Sequence, residues 1–264
     1  MIKYAPYSLR LLLVLTVFSF GCSVREVSRV QTQQYVMSDS LFAVIDSGIY
    51  KMADVYRKQL TKQMQEVLCT SAVVMEKGNP ESVLGNFVTD VCLQEGNLTV
   101  ANWNSPSDSV KRADFIILNS GGLRKPLPKG RITLGDLYEV MPFENQLVLL
   151  TCSGTLVQQI ADFIASKGGT PVSGIRFQID KSTGKAVAIT INGIPLNNND
   201  EYTVMTADYL ANGGDNFELF KSASRRIEIG LKVRDALINY SRKAGNREEI
   251  IKPKMDGRLT YVVE

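Results

Sequence analysis

Apolar side chains change their period repeatedly along this chain, and that alternation limits the folds open to it. From Ile49 the positions Ile49, Met52, Tyr56, Leu60 and Met64 recur at helical spacing, after which Val67 to Met75 becomes β-branched and apolar, as a strand requires. Val83, Phe87, Val88, Val91 and Cys92 make a second helical stripe, expected to end near Gly96, and Asp114 to Leu118 is a short apolar run of the kind buried in a sheet. Leu134 to Met141 predicts a short helix stopped at Pro142, and Gln146 to Thr151 a strand. Leu156, Ile160, Phe163 and Ile164 predict a helix capped by Ser153 and closed at Gly168-Gly169. Ile175 to Ile179 and Ala186 to Ile191 flank the polar turn Lys181-Ser182-Thr183-Gly184, and Asn192-Gly193 is a further turn. Tyr202 to Thr206 reads as a strand, and a helix over Gly230 to Lys243 precedes a last strand at Arg258 to Val263. Helices and strands are interspersed without a strict βαβ rhythm, so the expected class is α+β: a single domain, residues 41–264, with a mixed β-sheet and packed helices.

The N-terminus reads differently. Lys3 and Arg10 precede the apolar run Leu11 to Phe20, softened only by Thr16 and Ser19, and Gly21-Cys22 follows. That pattern predicts a secretory signal over residues 1–21, too short to span a bilayer comfortably. A small residue followed by Cys after such a run resembles a bacterial lipobox, which implies lipidation at Cys22 and an extracytoplasmic, membrane-anchored lipoprotein. The alternative is an incidental Cys in an ordinary cleaved signal. Residues 22–40, polar and without periodicity, read as a tether.

Charge and residue counts exclude several functions. Thirty basic against 27 acidic side chains are too near balance to hold a nucleic acid, so none is expected as a partner. The chain has no histidine, which excludes a Ser-His-Asp triad and a His-rich metal centre. Beyond Cys22, the scattered Cys69, Cys92 and Cys152 form no CxxC pair and read as small buried hydrophobes rather than metal ligands. No cofactor is expected in this chain.

Three segments combine turn glycines with polar or aromatic side chains, and such loops bring backbone close to a ligand. In Asn119-Ser120-Gly121-Gly122-Leu123-Arg124, Arg124 offers a fork for phosphate or ribose oxygens and Asn119 both a donor and an acceptor. In Met141-Pro142-Phe143-Glu144-Asn145, Pro142 leaves Phe143 in a loop. In Asp208 to Phe217, Tyr209 is suited to face a base and Asp215 to accept from ribose hydroxyls. Each taken alone also reads as an ordinary turn: a solvated Arg, a core Phe, an Asp cap.

Together, in this order and spacing, these segments resemble the C-terminal domain of the 5'-nucleotidase family. The likeness runs from about Ile45 to Thr260 and takes in Leu84-Gly85-Asn86-Phe87-Val88-Thr89-Asp90, the Asn119 to Arg124 loop, Ile132 to Asn145 and Ala211-Asn212-Gly213-Gly214-Asp215. It implies a substrate-recognition domain in which Phe143 and Tyr209 sandwich a nucleobase, Asp215 binds ribose, and Asn119 and Arg124 hold sugar and phosphate. Tyr209 stands where the family commonly has Phe, and Pro80 where its enzymes commonly carry a further substrate-binding Arg. The family's metallophosphatase domain uses His, Asp and Asn on two metals, so the resemblance implies half of a split 5'-nucleotidase. It would position a nucleotide for a separate calcineurin-like metallophosphatase chain, with divalent metals only in that partner. The alternatives are a non-catalytic surface module that captures nucleosides or nucleotides, and a scaffold on a retained fold.

Overall fold

A computed structural model of the protein describes residues 47–103 and 112–262. The signal-like segment 1–21, Cys22 and the tether 22–40 lie outside the described residues. The chain forms two units, Met1–Met52 and Ala53–Glu264. Of the first, only the opening residues of helix α1 (Ser47–Met64) are described. The periodicity of α1 was legible, but its stripe is not a core face: Met52, Tyr56 and Leu60 are all exposed.

After α1 come β1 (Val67–Ser71) and α2 (Val83–Ala101), which opens on the Ser82 hydroxyl accepting from the Gly85 amide at 3.1 Å. Then follow β2 (Phe115–Ile117), a 3-10 turn (Ser120–Gly122), β3 (Gly130–Thr133) and α3 (Leu134–Val140). A capping box, in which Thr133 and Asp136 each take the other's amide, starts α3. The long β4 (Gln146–Ser153) leads into α4 (Gly154–Ser166), capped by Ser153 as expected. β5 (Val172–Ser173), β6 (Ile175–Asp180), β7 (Lys185–Ile191), β8 (Ile194–Pro195) and β9 (Glu201–Ala207) are followed by the single-turn helix α5 (Asp208–Ala211). Two 3-10 turns, β10 (Arg225–Lys232), α6 (Val233–Asn246), β11 (Ile250–Ile251) and β12 (Leu259–Tyr261) complete the order.

The fold is α+β, and its strands form three sheets, each mixed: β11-β1-β3, β10-β4-β9-β2-β5 and β12-β6-β7-β8. The inner strands of the middle sheet are buried on both faces, while the edge strand β10 is largely exposed. On one side Ile116, Leu147, Leu149, Met205 and Ile229 join a core built on α2 and α6. On the other, Phe115, Ile117, Val148, Leu150, Cys152 and Val204 join a core built on α4 and the four-stranded sheet. Neighbours along β4 thus enter opposite cores, the period-2 alternation of a strand with no wet face.

Two local expectations are corrected. Gly96 does not end the second helix, which continues to Ala101: a Cβ there would strike the Met205 side chain, so the glycine lets α2 lie close on the sheet. The last helix begins at Val233 rather than Gly230, which sits at φ +70° inside β10. No helix among the described residues is long and apolar enough to cross a membrane.

Gly245 seats α6 on β1, because a Cβ at that position would run into the Leu68 carbonyl oxygen. In an exposed helix Gly→Ala gains up to about 1 kcal/mol. Here the backbone contact reverses the sign, and Gly245→Ala is expected to destabilise by about 1–3 kcal/mol, read as a lower urea midpoint at unchanged slope.

Candidate functional site

The central sheet brings the three glycine- and aromatic-bearing segments to one edge. β2 and β9 are parallel neighbours, Ile116 facing Met205, so their C-terminal ends open on the same side. β4 runs antiparallel to β9 with Leu147 facing Ala207, which places its N-terminal end there too. The loop after β2, the loop before β4 and the segment after β9 therefore emerge together, at the carboxyl ends of parallel strands where open sheets hold their ligands.

They enclose a cavity of about 270 Å³ lined by Asn119, Arg124, Phe143, Tyr209 and Asp215, with Gly121, Gly122 and Asn145 between them. The five side chains singled out from sequence thus meet at one place. Asp215 is its polar centre. Its Oδ2 accepts from Asn119 Nδ2 at 2.7 Å, its Oδ1 accepts from the Tyr209 hydroxyl at 2.9 Å, and its own amide donates back to that hydroxyl at 3.3 Å. Lys167 Nζ donates to the Asp215 carbonyl at 2.6 Å. These bonds hold Asp215 at φ +52°, a left-handed conformation that is uncommon outside glycine.

Each aromatic ring is placed by a different device. Tyr209 has one face against the backbone at Gly214, where an added Cβ would stand 2.5 Å from the ring carbons, and the residue is 43% exposed. Only glycine admits this approach. Phe143 is 42% exposed, and the Arg124 guanidinium carbon lies 6.0 Å from its ring centroid, at the outer limit of a cation–π contact. Arg124 Nη1 also donates to the Gly121 carbonyl at 3.3 Å, so the guanidinium folds over its own loop. The Arg124 amide donates to the Val140 carbonyl at 2.8 Å, joining the first loop to the end of α3.

Beside Phe143, the Glu144 carboxyl is held below the ordinary carboxylate range by hydrogen bonds from Lys232 and then Arg234. Asn145, Lys167, Lys232 and Arg234 were not singled out from sequence. Lys167 lies in the C-cap of α4, 48 positions from the carbonyl it binds, and no local pattern marks such a contact.

Other parts of the quoted likeness are structural. Asn86 donates to Glu81 Oε1 at 2.5 Å and to the Lys254 carbonyl at 3.0 Å, Thr89 donates to the Val172 carbonyl at 3.0 Å, and Asp90 receives Arg258 on both oxygens. Asn212 accepts from Arg226 at 2.6 Å. Pro80 packs against Gly169 and lines a second cleft with Glu81, Asn86 and Arg258, which shares no lining residue with the 270 Å³ cavity.

The family described as "5'-nucleotidase, C-terminal domain" matches residues 60–222, a span that contains all five side chains. The chain belongs to that family. Among curated relatives it is 29% identical over 196 residues to the trifunctional nucleotide phosphoesterase protein YfkN of Bacillus subtilis, covering 69% of this chain and 12% of that protein. It is 27% identical over 196 residues to the cell wall protein Lmo0130 of Listeria monocytogenes, covering 69% and 24%. Among solved structures, a 5'-nucleotidase precursor from Thermus thermophilus superposes with a TM-score of 0.67 at 25% identity, over 83% of this chain and 44% of that one. The chain therefore spans less than half the length of each of these proteins.

Within this 5'-nucleotidase C-terminal domain, Gly214→Ala is expected to push the Tyr209 ring off its seat and break the bond to Asp215. Displaced Tyr209 ring signals in an NMR spectrum and a loss of about 1–3 kcal/mol on thermal unfolding would register it.

Proposed function

We propose that this domain recognises a nucleotide or nucleoside and presents its phosphate to a metallophosphatase unit on a separate chain. The observation that carries the reading is the convergence of five side chains, from three segments far apart in sequence, on one cavity. A base between Phe143 and Tyr209 gains roughly 1–3 kcal/mol per stacking ring without selecting among bases. Asp215 accepts one hydrogen bond on each oxygen from protein groups and keeps a further lone pair on each for ribose hydroxyls. Arg124 is exposed and rests over Phe143, so an entering base displaces the guanidinium and frees its fork for sugar or phosphate oxygens.

The donor set of the cavity is one carboxylate, two amides and a phenol, and the chain has no histidine. That chemistry does not fit a two-metal centre, in which hard carboxylates and imidazoles hold both ions. No hydrolytic step is assigned to these residues, and divalent metals belong to the partner unit. An extracytoplasmic place agrees with the cell wall relative, and lipidation at Cys22 would hold the domain at the membrane where a partner is met.

Calorimetric titration of the purified chain with AMP, adenosine and UMP, beside a phosphate-release assay with and without Mn²⁺, tests the reading. Binding of all three ligands without release is expected. Phe143→Ala and Tyr209→Ala should each weaken binding about 5- to 150-fold, the equivalent of one lost stack. Absence of binding at millimolar ligand would refute the recognition role, and metal-dependent release by the pure chain would refute the assignment of chemistry to a partner. Binding that stays unproductive after addition of the metallophosphatase would leave a capture module.

A further inference from the structure

We infer that Arg234 is a positioning residue for the clamp, holding the Phe143 ring in place through the backbone and side chain of its loop; this rests on the reading of Phe143 as one half of a base clamp. The ring itself is nearly half exposed, with the exposed Arg124 guanidinium at the outer limit of contact with it. What fixes the loop lies outside it. β10 pairs with β4 as far as Lys232 facing Gln146, so the first turn of α6 arrives beside the segment that precedes β4.

Three successive residues there grip the loop. Lys232 Nζ donates to Glu144 Oε2, and the Val233 amide donates to the Asn145 carbonyl at 3.0 Å. Arg234 Nη1 donates to the Met141 carbonyl at 3.2 Å and Nη2 donates to Glu144 Oε1. The same guanidinium carbon lies 4.2 Å from the Tyr138 ring centroid, in the helix that feeds the loop. One side chain thus touches the segment before Phe143, the residue that starts the loop and the residue that follows the ring.

The contacts require an arginine. A rigid planar fork reaches a carbonyl and a carboxylate at once and still stacks on an aromatic face, whereas an ammonium on a flexible stem does only one of these well. The placement is otherwise unfavourable: Arg234 is 5% exposed, its Nε has no partner among the described residues, and it sits in the first turn of a helix, where the dipole opposes a cation. Glu144, by contrast, is mostly exposed, so the pair cannot be read as a bridge buried for stability alone.

The test places 4-fluorophenylalanine at position 143 in the full chain and reads its fluorine resonance in the parent, R234K and E144Q. Because Glu144 is exposed, E144Q keeps the question answerable if an Arg234 variant folds poorly, and near-UV circular dichroism monitors folding. A single narrow resonance is expected in the parent, broadened or split in both variants. In calorimetry R234K should weaken AMP binding about tenfold, and in an F143A background the same substitution should add nothing. An unchanged fluorine resonance in both variants, or an equal loss of affinity with and without Phe143, would overturn the inference. If the parent binds no nucleotide, the clamp reading fails, and the fluorine signal still decides whether Arg234 holds the ring.

Discussion

Burial of the inner strands of the five-stranded sheet on both faces is the constraint on which the rest of the molecule depends. Along β4, Leu147 and Leu149 enter one core while Val148, Leu150 and Cys152 enter the other. A slip of one residue would exchange the two sets and match each against the wrong helix, so the register is strongly specified. Fixing the register also fixes which loops share an edge. The cavity is therefore a by-product of core packing: once β2, β9 and β4 are in register, the three loops have nowhere else to emerge.

On that rigid base the site itself carries local strain. Asp215 and Asn216 both hold left-handed backbone, at φ +52° and +65°, and the surrounding bonds from Asn119, Tyr209 and Lys167 over-determine the first of them. A carboxylate anchored in this way is already ordered, which under the proposed function would lower the entropic cost of binding. The tyrosine at position 209 extends this economy, since its hydroxyl links the ring to the carboxylate.

Much of the fold and of the site was legible in the sequence where the signal is local. Ser153 as a cap, the Lys181 to Gly184 turn and the Asn192-Gly193 turn follow from backbone chemistry confined to a few residues. Asn119, Arg124, Phe143, Tyr209 and Asp215 lie in three short segments that each carry turn glycines or a proline. What escaped is non-local. The strand Arg225 to Lys232 alternates Ile227, Ile229 and Leu231 with Glu228, Gly230 and Lys232, but the helical spacing of Leu231, Val233, Leu237 and Ile238 drew its end into the last helix, and only the pairing with β4 separates the two. Arg234 looks like one more cation on a helix until Glu144, 90 positions earlier, is seen beside it. Helix α1 shows the converse: its apolar spacing is clear, yet spacing cannot say whether a face is covered, and Tyr56 and Leu60 are open to solvent.

The three thiols in the described residues are free and buried, and their environments are apolar enough to hold them as thiols. Burial raises Cys92 far above its ordinary value and Cys152 to about 12. Thiol–disulfide exchange proceeds through the thiolate, so these side chains are poor partners for oxidants and for each other. Nothing in this core draws on a cross-link for its stability. The packing described between residues 53 and 262 thus rests on side-chain burial, and a change of redox conditions has no cross-link there to make or break.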